Sequence, residues 1–197
     1  MKILNLYAGI GGNRKLWGNE HEITAVELDA KIANKYANLY PFDKVIVSDA
    51  HEYLLDHYKE FDFIWSSPPC PTHSKTNYFT QHIRNRPVYP SMKLYEEIIF
   101  LQYFYKGKYC IENVTPYYEP LIPAQKVGRH LFWSNFYIKP IKQPKDDIGT
   151  MIKGHPNRAN KKTQEDRNAV NSELGLHILN QAEGIIQVRK INQTELF

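Results

Sequence analysis

Cysteine is scarce: Cys70 and Cys110 are the only two in 197 residues. That count excludes a disulfide-stapled secreted scaffold, because one bridge adds little to a core of this size, and both thiols are expected to be free. Long apolar runs are lacking too. Met1-Lys2-Ile3-Leu4-Asn5-Leu6 is apolar for too short a stretch to act as a signal sequence, and no later segment nears the roughly 20 apolar residues of a membrane span. A soluble, cytoplasmic protein is expected. Excess charge of one sign is small, 25 basic against 21 acidic residues for a net +4. This suits a polyanionic partner but is also common among metabolic enzymes. No repeat or low-complexity tract interrupts the chain, and 42% hydrophobic residues are enough for one core. One domain over residues 1–197 is expected.

What is present alternates. Ile3 to Tyr7, Ile23 to Glu27, Val45 to Ser48, Phe61 to Trp65 and Tyr109 to Val114 are short and rich in β-branched and aromatic residues, as buried parallel strands are. Between them Gly12 to Trp17, Ala30 to Leu39, His51 to Tyr58 and Ser91 to Tyr105 read as helices. In the last, Leu94, Tyr95, Ile98, Ile99, Leu101 and Phe104 are assigned to one face. Asp29 and Ser91 are placed as N-caps, and Gly18 and Gly107 as stops. A β-α-β-α order predicts an α/β fold, a doubly wound, mostly parallel Rossmann-like sheet with helices on both faces. Ligands of such sheets bind at the carboxyl ends of the strands, so Ala8-Gly9, Glu27, Asp49, Pro68-Pro69-Cys70 and Glu112-Asn113 should converge on one crevice.

Tyr7-Ala8-Gly9-Ile10-Gly11-Gly12 joins the first strand to the first helix, where glycines let a ligand approach the backbone. No Gly-Lys-Ser/Thr follows, which argues against a nucleoside triphosphate site. Glu27 ends the second strand, where an acid accepts hydrogen bonds from ribose hydroxyls, and Asp49 ends the third, within reach of an adenine amine. The trio suits a dinucleotide or an adenosyl cofactor equally, and each acid has a plainer reading as a helix N-cap.

Ser66-Ser67-Pro68-Pro69-Cys70-Pro71-Thr72-His73-Ser74 leaves a hydrophobic strand through two prolines that fix the backbone and display Cys70. A thiol among prolines and hydroxyls reads as a nucleophile, whereas Cys110, inside an apolar strand, reads as core. Zinc is set aside, since Cys70 and His73 lack the further ligands of a structural site. Tyr109-Cys110-Ile111-Glu112-Asn113-Val114 ends a buried strand with an acid, which is costly unless a partner or ligand meets it. Cytosine chemistry gives both residues work. A thiolate adding at carbon-6 makes carbon-5 nucleophilic, and an acid near the ring nitrogen stabilises the charge so created. An ordinary thiol is only a few per cent ionised at neutral pH. Such a site should therefore either lower the Cys70 pKa with positive charge or couple addition to proton transfer.

In motif content and order the sequence resembles the cytosine-carbon-5 DNA methyltransferases. Asn5 to Gly12 is similar to the family's first motif, Ser67-Pro68-Pro69-Cys70 with Ser74 to its catalytic loop, and Glu112-Asn113-Val114 to its base-contacting tripeptide. Arg167-Asn168-Ala169-Val170-Asn171 resembles its tenth motif, which returns to the cofactor pocket. The resemblance implies methyl transfer from S-adenosylmethionine to carbon-5 of a cytosine flipped out of duplex DNA, at a few kcal/mol for the flipping. By it Cys70, Glu112 and Arg129 would be catalytic. Tyr7, Ala8, Gly9, Gly11, Glu27, Asp49, Pro68, Asn168 and Val170 would hold the cofactor, with Glu27 on the ribose and Asp49 on the adenine. Pro69, Ser74, Lys75, Arg84, Arg86, Asn113 and Val114 would face DNA, and Asn113 would also fix the catalytic loop. No metal is implied. The expected protein works as a monomer, with a cognate restriction enzyme an optional partner.

The sequence departs from the family's pattern in three places. Gly128-Arg129-His130-Leu131 offers one arginine and one histidine where the eighth motif has two arginines and a glutamine. Pro71 follows the nucleophile where Gln or Asn is commoner. The recognition region, 138–165, is a short basic loop that includes Lys139, Lys142, Lys145, Lys153, Arg158, Lys161 and Lys162. Base reading is therefore expected to lean on Thr72, His73, Lys75 and Asn77. Rival readings stay open. Ser67-Pro68-Pro69 also resembles the Ser-Pro-Pro-aromatic motif of amino-methyltransferases, which need no thiol. The same fold methylates transfer RNA, and a non-catalytic module binding adenosylmethionine or DNA is a third class.

Overall fold

The structure, a computed structural model, describes residues 1–80, 87–141 and 169–184. In chain order these form β1 (Lys2–Leu6), β2 (Glu22–Glu27), α1 (Ala30–Leu39), β3 (Lys44–Val47), α2 (Ala50–His57), β4 (Phe63–Ser66), α3 (Lys75–Thr80), α4 (Lys93–Phe104), β5 (Lys108–Val114), β6 (Gln125–Val127), β7 (His130–Ser134) and α5 (Ser172–Ala182). Among the described residues the strands make one seven-stranded sheet in the order β3-β2-β1-β4-β5-β7-β6. β1 to β5 run parallel, and β7 lies antiparallel to β5 with β6 on its outer edge. This is the doubly wound, mostly parallel, Rossmann-like sheet expected from the alternation. Its winding reverses between β1 and β4, where such sheets open a crevice at the strands' carboxyl ends.

Period-two alternation sorts the strands onto two cores. Leu4, Leu6, Ile64 and Ile111 point to one face, where Leu54 of α2 and Leu94, Ile98 and Leu101 of α4 cover them. Ile3, Phe63, Trp65, Cys110 and Phe132 point to the other, against Trp17 and against Leu174, Ile178 and Leu179 of α5. Cys110 is fully buried, as a core residue should be. Burial on both faces explains why these strands are near-continuous apolar runs.

Several local expectations are corrected. Gly12 to Trp17 forms only a 3₁₀ turn at Asn13–Leu16, closed by Gly18 at φ 76°, a backbone conformation that glycine adopts without strain. Ser91 does not cap α4; its backbone N–H donates to Thr72 Oγ1 at 3.0 Å, and the helix starts at Lys93 without a side-chain cap. α4 buries Leu94, Glu97, Ile98 and Leu101 but leaves Ile99 and Phe104 exposed, because the 3.6-residue period carries those two off the buried stripe. Asp29 does cap α1, accepting from the N–H of Lys31 and Ile32. β6, β7, α3 and α5 were not foreseen. Among the described residues no helix is long and apolar enough to cross a membrane.

Candidate active site

The glycine turn sits where β1 ends. Gly9 and Gly11 adopt φ 56° and 76°, and a Cβ added to Gly9 would meet nothing within 4 Å, so the backbone there is open to a ligand. Glu27, at the end of β2, spans this turn and the next: Oε2 accepts from Gly9 N at 2.9 Å and Oε1 from Asp29 N at 3.0 Å. A carboxylate has about four acceptor positions, so both oxygens retain capacity for hydroxyl donors. Asp49 takes the plainer role weighed for it, with Oδ1 capping α2 through His51 N at 2.8 Å and Glu52 N at 3.2 Å. Although burial raises its pKa, those N–H groups, with Lys93 and His51, bring it below the usual carboxylate range. Oδ2 lies 3.9 Å from Lys93 Nζ and is not part of the cap.

The segment before α5 lies against the same turn. A Cβ on Gly12 would stand 2.6 Å from Val170 O, and one on Gly175 would stand 2.3 Å from Asn13 O. Only hydrogen fits at either place, so Val170 and the first turn of α5 reach Gly12 and Asn13 across more than 150 residues of sequence. Asn168 lies outside the described residues.

Past Ser66 the chain turns through Ser67, Pro68 and the exposed Pro69 to a partly buried Cys70. Four hydrogen bonds fix this loop. Asn113 Nδ2 donates to Pro68 O at 2.9 Å, Trp65 Nε1 to Ser67 Oγ at 2.8 Å, and Cys70 O accepts from His73 N and Ser74 N at 3.0 and 3.1 Å. Ser74 also bridges to Pro116. Exposed Lys75 begins α3, and Val114 ends β5 half-buried. His73 cannot read a base: it is 1% exposed, Nδ1 meets Tyr118 Oη at 2.6 Å, and burial holds its pKa below the usual imidazole range. Thr72 Oγ1 is likewise engaged by Ser91 N. Arg84 and Arg86 lie outside the described residues, as does 142–168, most of the expected recognition region.

Glu112, 7% exposed, faces His130 from the neighbouring antiparallel strand, and His130 Nδ1 makes a short hydrogen bond to Glu112 Oε1. Arg129 Nε donates to His130 Nε2 at 3.2 Å, which makes Nε2 an acceptor and places the ring proton on Nδ1, pointing at the carboxylate. The exposed Arg129 therefore reaches the acid through an imidazole. His130 carries no role in the sequence reading, because its contact with Glu112 arises only from the antiparallel pairing of β7 on β5.

Burial pushes the Cys70 thiol above its ordinary range, and the Glu112 carboxylate pushes it further. Among the described residues nothing lowers it by positive charge, which favours the second route considered, addition coupled to proton transfer. A raised thiol is mostly protonated at neutral pH, and its thiolate fraction grows about tenfold per pH unit until the pKa is passed. Alkylation of Cys70 by iodoacetamide is expected to climb in that way from pH 7 through 9 without levelling. A plateau starting below pH 7 would show a depressed pKa and contradict this geometry.

Three features thus lie along the carboxyl edge of the sheet at β1, β4 and β5: an open glycine turn with an acid beside it, a clamped loop carrying a thiol, and a strand acid held by a histidine. The profile described as "C-5 cytosine-specific DNA methylase" matches residues 1–116, which include all three except His130. No curated protein matches the chain. Among solved structures, a triple mutant of Spodoptera frugiperda DNMT2 is 29% identical with a TM-score of 0.41, over 57% of this chain and 35% of that one. The chain thus spans about a third of that protein's length. The fibrillarin/Nop5p complex is 14% identical with a TM-score of 0.44, over 68% of this chain and 70% of that one. A SAM-dependent methyltransferase from Agrobacterium tumefaciens is 13% identical with a TM-score of 0.37, over 60% of this chain and 40% of that one. With more than half of its residues inside the family profile, the chain belongs to the C-5 cytosine-specific DNA methylase family.

Proposed function

We propose that the protein methylates carbon-5 of a cytosine flipped out of duplex DNA, with S-adenosylmethionine as donor and Cys70 as covalent nucleophile. The observation that carries this reading is geometric: the loop bearing the partly buried Cys70 is clamped by Asn113, the residue next to the buried, histidine-held Glu112. When bound, the donor supplies an electrophilic methyl group on a sulfonium. The residues present fit it: the backbone at Gly9 is open, and Glu27 retains acceptor capacity. Ala8, Gly11, Pro68 and Val170 would complete its pocket with Tyr7 and Asp49.

Cys70 passes its proton toward Glu112 Oε2 as Sγ bonds to carbon-6, and the ring electrons shift toward N3. Glu112 meets that nitrogen. His130 occupies Oε1 as a donor, so Oε2 is the oxygen left for the base, and it hands the thiol's proton on to N3, which leaves the ring neutral. Coupling the two proton movements suits a thiol whose own pKa is raised, because no free thiolate need accumulate first. After carbon-5 has taken the methyl, its proton passes to water as the C6–Sγ bond breaks, and N3 returns its proton through Glu112 to the departing Cys70 sulfur, which restores the ring. Arg129 orients His130 from the rim. Pro69, Ser74, Lys75 and Val114 face the base and backbone, with Asn113 bracing the loop. The short basic segment 138–165, together with Arg84 and Arg86, would supply phosphate contacts and the remaining base reading, in a single domain acting as a monomer.

The test is a denaturation-resistant complex with duplex DNA carrying 5-fluorocytosine, in which the fluorine blocks the final elimination. An adduct mapped to Cys70, with 5-methylcytosine as the nucleoside formed from ordinary DNA, is expected. A folded protein that binds DNA and donor yet yields no adduct, or yields an exocyclic methylamine, would refute the reading.

A further inference from the structure

Glu97 is fully buried on α4, and none of the steps above uses it. An ionisable group so placed is costly unless every lone pair is engaged. Tyr7 Oη donates to Oε1 at 2.5 Å, Ser66 Oγ donates to Oε2 at 2.7 Å, and His51 Nδ1 approaches Oε1 at 3.3 Å. Each partner stands at the root of a different piece of the site. Tyr7 leads into the glycine turn, Ser66 leads into Ser67-Pro68-Pro69-Cys70, and His51 lies in the first turn of α2, capped by Asp49. One carboxylate, through both of its oxygens, joins what would bind the donor to what would attack the base.

Backbone geometry makes the joint consequential. Tyr7, at φ 55°, is the one non-glycine residue in the left-handed region among those described. Such a conformation persists only where surrounding contacts over-determine it, and here the hydroxyl is anchored to Glu97. A phenylalanine would fill the same space without that anchor. His51 is shifted toward its protonated form by Glu97. Glu97 raises its pKa foremost, Glu96, 3.9 Å from Nε2, adds to this, and burial and Lys93 oppose it.

We propose that Glu97 is a positioning residue that couples occupancy of the donor site to the reactivity of the Cys70 loop. A ligand settling on the turn after Tyr7 shifts the Tyr7 hydroxyl on Oε1, and the carboxylate passes the shift to Ser66 on Oε2 and so to the loop root four residues before the thiol. The inference rests on the methyl-transfer reading of this site. By linkage the effect is reciprocal between the two ends.

The experiment measures S-adenosylhomocysteine affinity by calorimetry, and the rate of Cys70 alkylation by iodoacetamide with and without that ligand at saturation. It uses the full chain, Tyr7→Phe, Ser66→Ala and Glu97→Gln, each checked by thermal melting. In the unaltered protein the ligand is expected to change the alkylation rate by about fivefold or more, the usual lower end of coupling between sites. In Ser66→Ala and Glu97→Gln the factor should collapse toward one although the ligand still binds, and in Tyr7→Phe, whose residue also borders the donor pocket, it should collapse at saturating ligand whatever the affinity. Because Ser66 touches neither ligand nor thiol, loss of the factor there cannot be lost contact. Variants that bind the ligand and keep the full factor overturn the inference alone, since simple shielding of the thiol would then explain it. An unaltered protein with no affinity for S-adenosylhomocysteine overturns both the inference and the reading beneath it.

Discussion

Cys70→Ser is expected to lower methylation of duplex DNA by about 10⁴-fold or more, since loss of a covalent nucleophile removes nearly all of the chemistry it supports and a hydroxyl is a far weaker nucleophile than a thiolate. Binding of DNA and of S-adenosylhomocysteine should change by no more than a few-fold, because the side chain is similar in size and only partly buried. Single-turnover methylation with tritiated donor measures the first effect, and calorimetry the second. Full activity in the variant would move the chemistry to an exocyclic amine, which needs no thiol. Cys110 gives the internal control: it is fully buried, and its thiol is pushed well above the ordinary range. Cys110→Ala should leave the adduct with 5-fluorocytosine intact.

The largest expected effect on stability comes from Asp43→Ala. Arg14, in the turn after the glycines, grips Asp43 through Nε at 2.8 Å and Nη2 at 2.9 Å, with both side chains under 5% exposed. Tyr36 Oη also donates to Asp43 at 2.8 Å, and the guanidinium lies 5.1 Å from the Tyr40 ring centroid. Removing one partner of such a pair strands a buried charge and costs roughly 3–5 kcal/mol. For a domain of this size each kcal/mol lowers Tm by about 2–4 °C, so a fall of roughly 6–20 °C is expected by calorimetry. A fall below ~2 °C would mean that Arg14 finds water or another acid once Asp43 is gone. The pair also bears on the site, because Tyr40 Oη donates to Gly11 O at 2.9 Å and the whole group backs the glycine turn.

These two residues show how unevenly the molecule can be read from its sequence. Cys70 stood out because its neighbours, two prolines and a row of hydroxyls, do not belong in a core. Arg14 and Asp43 carried no such mark; 29 residues apart, each looked like an ordinary surface charge. Glu97 was legible in part. It falls three residues after Leu94 and four before Leu101, inside a buried stripe where an acid needs partners. Which partners, Tyr7 at the end of β1 and Ser66 at the end of β4, depends on strands that lie beside each other in space and some 60 residues apart along the chain. His130 belongs to the same class. Its hydrogen bond to Glu112 exists because β7 turns back antiparallel on β5, a pairing that no local pattern near residue 130 announced.

Corrections follow the same rule. His73 and Thr72 sit in a polar, proline-rich loop and read as exposed, yet Tyr118 and Ser91 fold over them. Ser91 has the chemistry of a cap but gives its N–H to Thr72. Among the described residues the thiol's pKa is raised, not lowered, because burial and the Glu112 charge act together.

By itself the sequence determined the alternation of strands and helices, hence the parallel sheet and the edge at which ligands meet it. It also determined the thiol, the strand acid and the glycine turn, since each is a local departure from the apolar pattern around it. Only the tertiary structure decided which side chains hold these groups and how their charges add. Those depend on contacts between segments far apart in the chain, and a hydrogen bond or a desolvation cost is set by distance in space.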